Sequence, residues 1–66
     1  MELTVNGTGR TLPDGTTVAG LVATLTSAAR GVAVAVDGEV VPRAAWAGTT
    51  LRDGHRVEVL TASQGG

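Results

Sequence analysis

One stripe of side chains limits the folds open to this chain. Val18, Leu21, Val22 and Leu25 fall at i, i+3, i+4 and i+7. That spacing lays four aliphatic groups along one face of a single helix. Each gains about 1.5–3 kcal/mol when fully buried, so the stripe has to be covered. The chain has 66 residues, room for one domain. A domain of that size buries only about 60% of the surface its unfolded chain exposes. The rest of the sequence reads as strands and turns, so a sheet must supply the cover. Trp46 is the one aromatic residue, which makes the core aliphatic.

The strand signals run the length of the chain. Met1, Leu3 and Val5 alternate with Glu2 and Thr4, the period of a half-buried strand. Asn6-Gly7 signals a hairpin turn, and Thr8 to Leu12 returns as a short polar edge strand. Pro13-Asp14-Gly15 ends it, and Thr16 or Thr17 then serves as the helix N-cap. Asp14 precedes the positive end of the helix dipole. Arg30 lies near the negative end, and Gly31 stands where a C′ glycine belongs. Gly20 costs the helix roughly 1 kcal/mol relative to alanine, which a close approach to the sheet would explain.

Val32 to Val36 is a continuous small-apolar run and reads as a central strand. Asp37-Gly38 is a second hairpin signal, followed by Glu39-Val40-Val41 and a stop at Pro42. Arg43 to Gly48 makes one helical turn with Trp46 as its apolar plug. After a turn at Arg52-Asp53-Gly54, residues His55 to Leu60 form the last strand, with Val57 and Val59 on one face. The order β, β, α, β, β, short turn, β predicts an α+β fold, a mixed sheet of about five strands wrapped around one helix. Residues 1–60 make the domain and residues 61–66 a flexible C-terminal tail.

The body offers little chemistry. It has no cysteine, which excludes disulfides, thiolate metal sites and thiol nucleophiles. It has no lysine, so no internal Schiff base and no lysine-linked branch can form. His55 is the one histidine; it reads as an exposed residue opening the last strand. No metal-ligand spacing is present, so no metal is expected. Gly7-Thr8-Gly9 lacks the glycines and the following helix of a phosphate loop. Asp37 and Glu39 flank a turn glycine and read as solvated. A net charge of −1 without a basic run argues against nucleic acid as a partner. No apolar run approaches the ~18 residues of a membrane span, and Met1-Glu2-Leu3 leads into a strand pattern rather than a signal peptide.

The tail is different. Thr61, Ala62, Ser63, Gln64, Gly65 and Gly66 carry neither a charge nor a large apolar group on their side chains. Extended, they reach at most roughly 20 Å. The functional group of this stretch is the terminal carboxylate of Gly66. Glycine lets another surface approach its backbone closely. An unbranched arm with a carboxylate at its tip suits a narrow channel in another enzyme. A body without a site that holds out such an arm reads as a substrate for other enzymes.

These residues resemble a known family. Val5-Asn6-Gly7, Val34-Ala35-Val36-Asp37-Gly38-Glu39-Val40-Val41-Pro42-Arg43 with Trp46, Leu51 with Asp53-Gly54, and Gln64-Gly65-Gly66 are similar to the ThiS-type sulfur carriers of thiamin thiazole biosynthesis. The resemblance implies a β-grasp, ubiquitin-like fold and a carrier rather than an enzyme. It implies that Gly66 is adenylated and then thiocarboxylated, with Gly65, Gln64 and Ser63 giving access and docking. Its implied partners are a ThiF-like adenylyltransferase that uses ATP and Mg, a sulfur-donating enzyme, and a ThiG-like thiazole synthase. The implied location is the cytoplasm, with no cofactor bound to the carrier itself. His55 departs from the acidic residue usual after the last turn glycine, and Ser63 from a common apolar one. The alternatives are a sulfur carrier for molybdopterin or another pathway, and a ubiquitin-like protein modifier. An inert interaction domain is a further reading.

Overall fold

The computed structural model describes residues 1–27 and 30–62. Strands β1 (Glu2–Val5), β2 (Thr8–Thr11), β3 (Val32–Val36), β4 (Glu39–Val40) and β5 (Arg56–Thr61) form one sheet in the order β2-β1-β5-β3-β4. β1 and β5 run parallel; the other neighbours are antiparallel. Helix α1 (Val18–Leu25) and a 3-10 helix, η1 (Arg43–Gly48), lie outside the sheet. The α+β reading, a mixed sheet of five strands with one α-helix, is the observed architecture.

Both hairpin turns form for the predicted reason. Asn6 and Gly7 have φ of 51° and 80°, and Asp37 and Gly38 have 51° and 85°. Two successive positive φ values match the right-handed twist of the strands they join.

The helix stripe meets the sheet as its spacing requires. Val18, Leu21 and Val22 are buried with Leu3, Val5, Val34, Val57 and Val59 from the strands. Trp46 and Leu51 complete this core, and half-buried Leu25 packs at its margin. Trp46 is the predicted plug, and its indole N–H donates to Val41 O at 2.8 Å. A buried indole needs such a partner. The Arg43 guanidinium lies 5.8 Å from the ring centroid, within cation–π reach.

Thr17 is the N-cap, its hydroxyl accepting from Gly20 N–H at 3.1 Å. Thr16 is engaged elsewhere, its hydroxyl donating to Pro13 O in the preceding turn. The first helical N–H, of Val18, is satisfied by Thr49 O at 2.9 Å, which ties the helix start to the segment after η1. Asp14 contacts the N-terminal ammonium at 3.3 Å.

The structure corrects several expectations. The helix stops at Leu25, and Thr26 is its C-cap in extended conformation, φ −154° and ψ 148°. Thr26 and Ser27 carry hydroxyls that compete with helical hydrogen bonding, and the apolar stripe ends at Leu25. Arg30 and Gly31 therefore lie beyond the helix end, and Gly31 is not its C′ residue.

Gly20 does not approach the sheet. A Cβ built there meets Thr17 Oγ1 at 3.5 Å and Thr16 Cγ2 at 3.8 Å, ordinary contacts on an exposed face. Gly20→Ala is thus expected to stabilise the protein by about 1 kcal/mol through helix propensity. A urea midpoint that fails to rise would contradict this placement.

As its small-apolar run predicts, β3 is interior with a neighbour on each side, and β5 takes the middle of the sheet. Only Val34 of β3 is fully buried: Ala33 and Ala35 face away from the helix, and Val32 and Val36, at the strand ends, are half-buried. His55 precedes β5 and is half-buried rather than exposed. Its Nδ1 accepts from Arg52 N–H at 2.9 Å, which closes the turn before the strand. Asp37 is exposed as predicted, yet its carboxylate accepts from Arg56 N–H at 2.8 Å and joins the β3–β4 turn to the start of β5.

Candidate functional site

The strand that leads to the arm is held from both sides. On one side β1 pairs with β5 through Thr4↔Arg56 and Val5↔Val57, and then turns away into its hairpin. Asn6 continues the ladder with its side chain. Its Oδ1 accepts from Val59 N–H at 2.8 Å, and its Nδ2 donates to Val59 O at 3.1 Å. One carboxamide thus satisfies both backbone groups of a residue that β1 no longer reaches. The sequence marked Asn6 only as a turn residue; this second role depends on a strand 53 positions away.

On the other side β3 pairs with β5 from Val36↔Val57 to Val32↔Thr61. Ala62 N–H then donates to Gly31 O at 2.6 Å. Ordered pairing therefore extends through Thr61 and Ala62, the first two residues of the predicted tail. The predicted site residues Ser63, Gln64, Gly65 and Gly66 lie outside the described residues.

The sheet face opposite the helix surrounds this root. The register places Ala33 beside Leu60, and Ala35 beside both Glu58 and Val40. Val40 and Leu60 are 76% and 64% exposed, the large apolar side chains left in water among the described residues. Arg56 and Glu58 share the face, with a 4.0 Å contact between them. At that distance and exposure the pair adds little stability. The open hollow beside the root is lined by Gly31, Val32, Ala33, Leu60, Thr61 and Ala62.

The body itself supplies no assembled reaction centre among the described residues. No polar or charged side chain is buried there. No group of three or more His, Asp or Glu side chains is placed to hold a metal ion. His55 and Asp37 approach only to 4.0 Å, at the end of the sheet where β5 begins. What the arrangement can do is present a rigid strand end beside an apolar, lightly charged face. No described helix is long and apolar enough to cross a membrane.

Comparison with known proteins agrees with this geometry. The crystal structure of the thiamine biosynthesis protein ThiS from Geobacter metallireducens matches with a TM-score of 0.81 and 39% identity. The match covers 92% of this chain and 93% of that one. An NMR solution structure of a thiamine biosynthesis protein from Geobacter metallireducens gives a TM-score of 0.76 and 40% identity, over 91% and 81% of the two chains. No curated protein matches the sequence at significant similarity. The family model that matches is that of ThiS, over residues 3–66. With a β-grasp sheet, one helix packed on it and a family match over nearly the whole length, the chain belongs to the ThiS family.

Proposed function

We propose that the protein carries sulfur for thiamin biosynthesis on the carboxyl group of Gly66. The family match, which runs through residue 66, is the observation that carries this reading. The solved relatives described as thiamine biosynthesis proteins support the pathway. The carrier acts as a substrate rather than as a catalyst.

The chemistry follows from the carboxylate. It is a poor electrophile until one oxygen becomes part of a leaving group. A Gly66 oxygen attacks the α-phosphorus of ATP on a partner adenylyltransferase, and pyrophosphate departs. Magnesium on that partner balances the phosphate charge. A sulfur nucleophile from a donor enzyme then attacks the acyl carbon, and AMP departs. If the nucleophile is sulfide, the C-terminus is then a thiocarboxylate. If it is a persulfide, a thiol on the donor must cleave the S–S bond of the acyl persulfide, itself becoming oxidised to a disulfide. The freed thiocarboxylate can pass sulfur to a thiazole synthase. Gly65 and Gly66 leave the reacting carbonyl unshielded by any Cβ. Ser63 and Gln64 complete the reach through the channel. The use of ATP fits a cytoplasmic location.

The sheet face gives the enzyme its footing. The span from Ala62 to Gly66 is at most roughly 14 Å. An enzyme that holds Gly66 therefore sits close to Leu60 and Ala33, apolar groups whose burial favours docking.

The test is direct. Incubation with the cognate adenylyltransferase, ATP and magnesium should yield an acyl-adenylate. Adding a sulfide source should raise the intact mass by the difference between a sulfur and an oxygen atom. Fragmentation should locate that change at Gly66. An unchanged mass with an active enzyme would refute the carrier role. Isopeptide conjugates in place of a thiocarboxylate would favour a protein modifier.

A further inference from the structure

We propose that Gly31 is a positioning residue for the carrier arm, setting where the arm leaves the sheet. The inference rests on the sulfur-carrier reading. Gly31 has φ +72°, and its carbonyl accepts the Ala62 N–H at 2.6 Å. This bond extends the β3–β5 pairing one residue beyond Val32↔Thr61. The side of Gly31 that would carry a Cβ is occupied by Ala62. A Cβ there would lie 3.0 Å from Ala62 Cβ, 3.7 Å from Ala62 N and 3.9 Å from Ala62 Cα. Only the first of these is tighter than an ordinary contact, and because an alanine Cβ has no rotamer to change, it is relieved only by a shift of a few tenths of an ångström at Ala62 itself.

Most of the other described glycines do not face such a contact. Gly7, Gly9, Gly15, Gly48 and Gly54 have open space where a Cβ would go. Gly31 is thus the tightest of them, and the residue it touches is the root of the arm. The helix does not explain the glycine, because the helix ends at Leu25.

The consequence is geometric. The docking face and the arm's root belong to the same two strands, β3 and β5. An enzyme seated on Leu60 and Ala33 meets the root of the arm at Ala62, which the Gly31–Ala62 contact positions. A side chain at position 31 pushes the root away from β3 while that face stays in place. The carboxyl group then arrives off line, and transfer chemistry is sensitive to misplacement of about 1 Å.

Two effects of Gly31→Ala have to be separated: strain at positive φ and collision with Ala62. Ala62→Gly removes the collision without strain at position 31, and the single variant measures the added backbone freedom at residue 62. The experiment compares the unaltered chain, Gly31→Ala, Ala62→Gly and the double variant. Melting temperature, exchange of the residue-62 amide, and kcat/KM for adenylation by the cognate enzyme are measured for each. Gly31→Ala should accelerate exchange at residue 62 and lower kcat/KM by about tenfold or more. The double variant should recover kcat/KM and amide protection while keeping the lowered melting temperature. Should Gly31→Ala fail to fold, Ala62→Val enlarges the same contact without strain at position 31 and should show the same loss. Adenylation of Gly31→Ala at the rate of the unaltered chain overturns the proposal, as does activity in the double variant that follows stability alone. An unaltered chain that is never adenylated is a different failure: it removes the carrier reading and this role with it.

Discussion

Deleting Gly66 is expected to abolish thiocarboxylate formation and leave the fold intact. The shortened arm holds its carboxylate about 3.5 Å further back, the length of one extended residue. The adenylyltransferase would have to bring ATP to a group that no longer reaches it. Losses of at least about a hundredfold accompany misplacements much smaller than this one. The body should not register the change, because the core among the described residues runs from Leu3 to Val59. The melting temperature of the shortened chain should stay near that of the full chain. A small domain moves about 4–8 °C for each kcal/mol, so a drop of that size would show that the arm contributes to folding. Full thiocarboxylate yield from the shortened chain would refute the assignment of Gly66.

Leu21→Ala should give the opposite result: a large loss of stability, with every residue of the arm unchanged. Leu21 is 1% exposed and among the largest fully buried side chains. It sits in the middle of the helix stripe that faces the sheet. Truncation removes its transfer energy and leaves a cavity, for a cost of about 2–5 kcal/mol. A chain this short has a net stability of only about 3–10 kcal/mol at the usual value per residue. One substitution therefore removes a large part of the total, and the urea midpoint should fall sharply. An unchanged midpoint would mean that this helix face is not the core.

Much of the fold was legible because its signals are local. Asn6-Gly7 and Asp37-Gly38 specify their turns by the conformations those residues tolerate. The stripe from Val18 to Leu25 and the alternation from Arg56 to Leu60 each reveal a buried face by period alone. The misread details are those set by partners distant in sequence. The helix stop at Thr26 required weighing hydroxyl competition against helix-favouring alanines beyond it. His55 looked exposed because nothing local shows that its ring closes the Arg52 turn. Asn6 and Gly31 were each assigned one local role, at a hairpin turn and at a helix end. Their contacts with Val59 and Ala62 exist only once β5 lies between β1 and β3.

The proposed carrier site is read from the sequence and the family match, since Ser63, Gln64, Gly65 and Gly66 lie outside the described residues. Gly66 stands out by the chemistry it alone offers in a cysteine-free, lysine-free chain, and by its place in a family motif. The exposed apolar face was not legible. Val40 and Leu60 lie in different strands, and only the register through Ala35 and Ala33 puts them on one side of the sheet.

The central place of β5 also orders events in time. The hairpins β1–β2 and β3–β4 can each close locally as the chain is made, but they do not pair with each other in the sheet. Residues 56–61 join them, and they are synthesised last of all the strands. Closure of the parallel β1–β5 pair spans most of the sequence, the kind of distant contact that slows folding. A nascent chain lacking those residues has two hairpins with no strand between them and an incomplete sheet face. The face is completed by the strand that carries the arm, so an enzyme that recognises the finished face has little occasion to engage a half-made carrier.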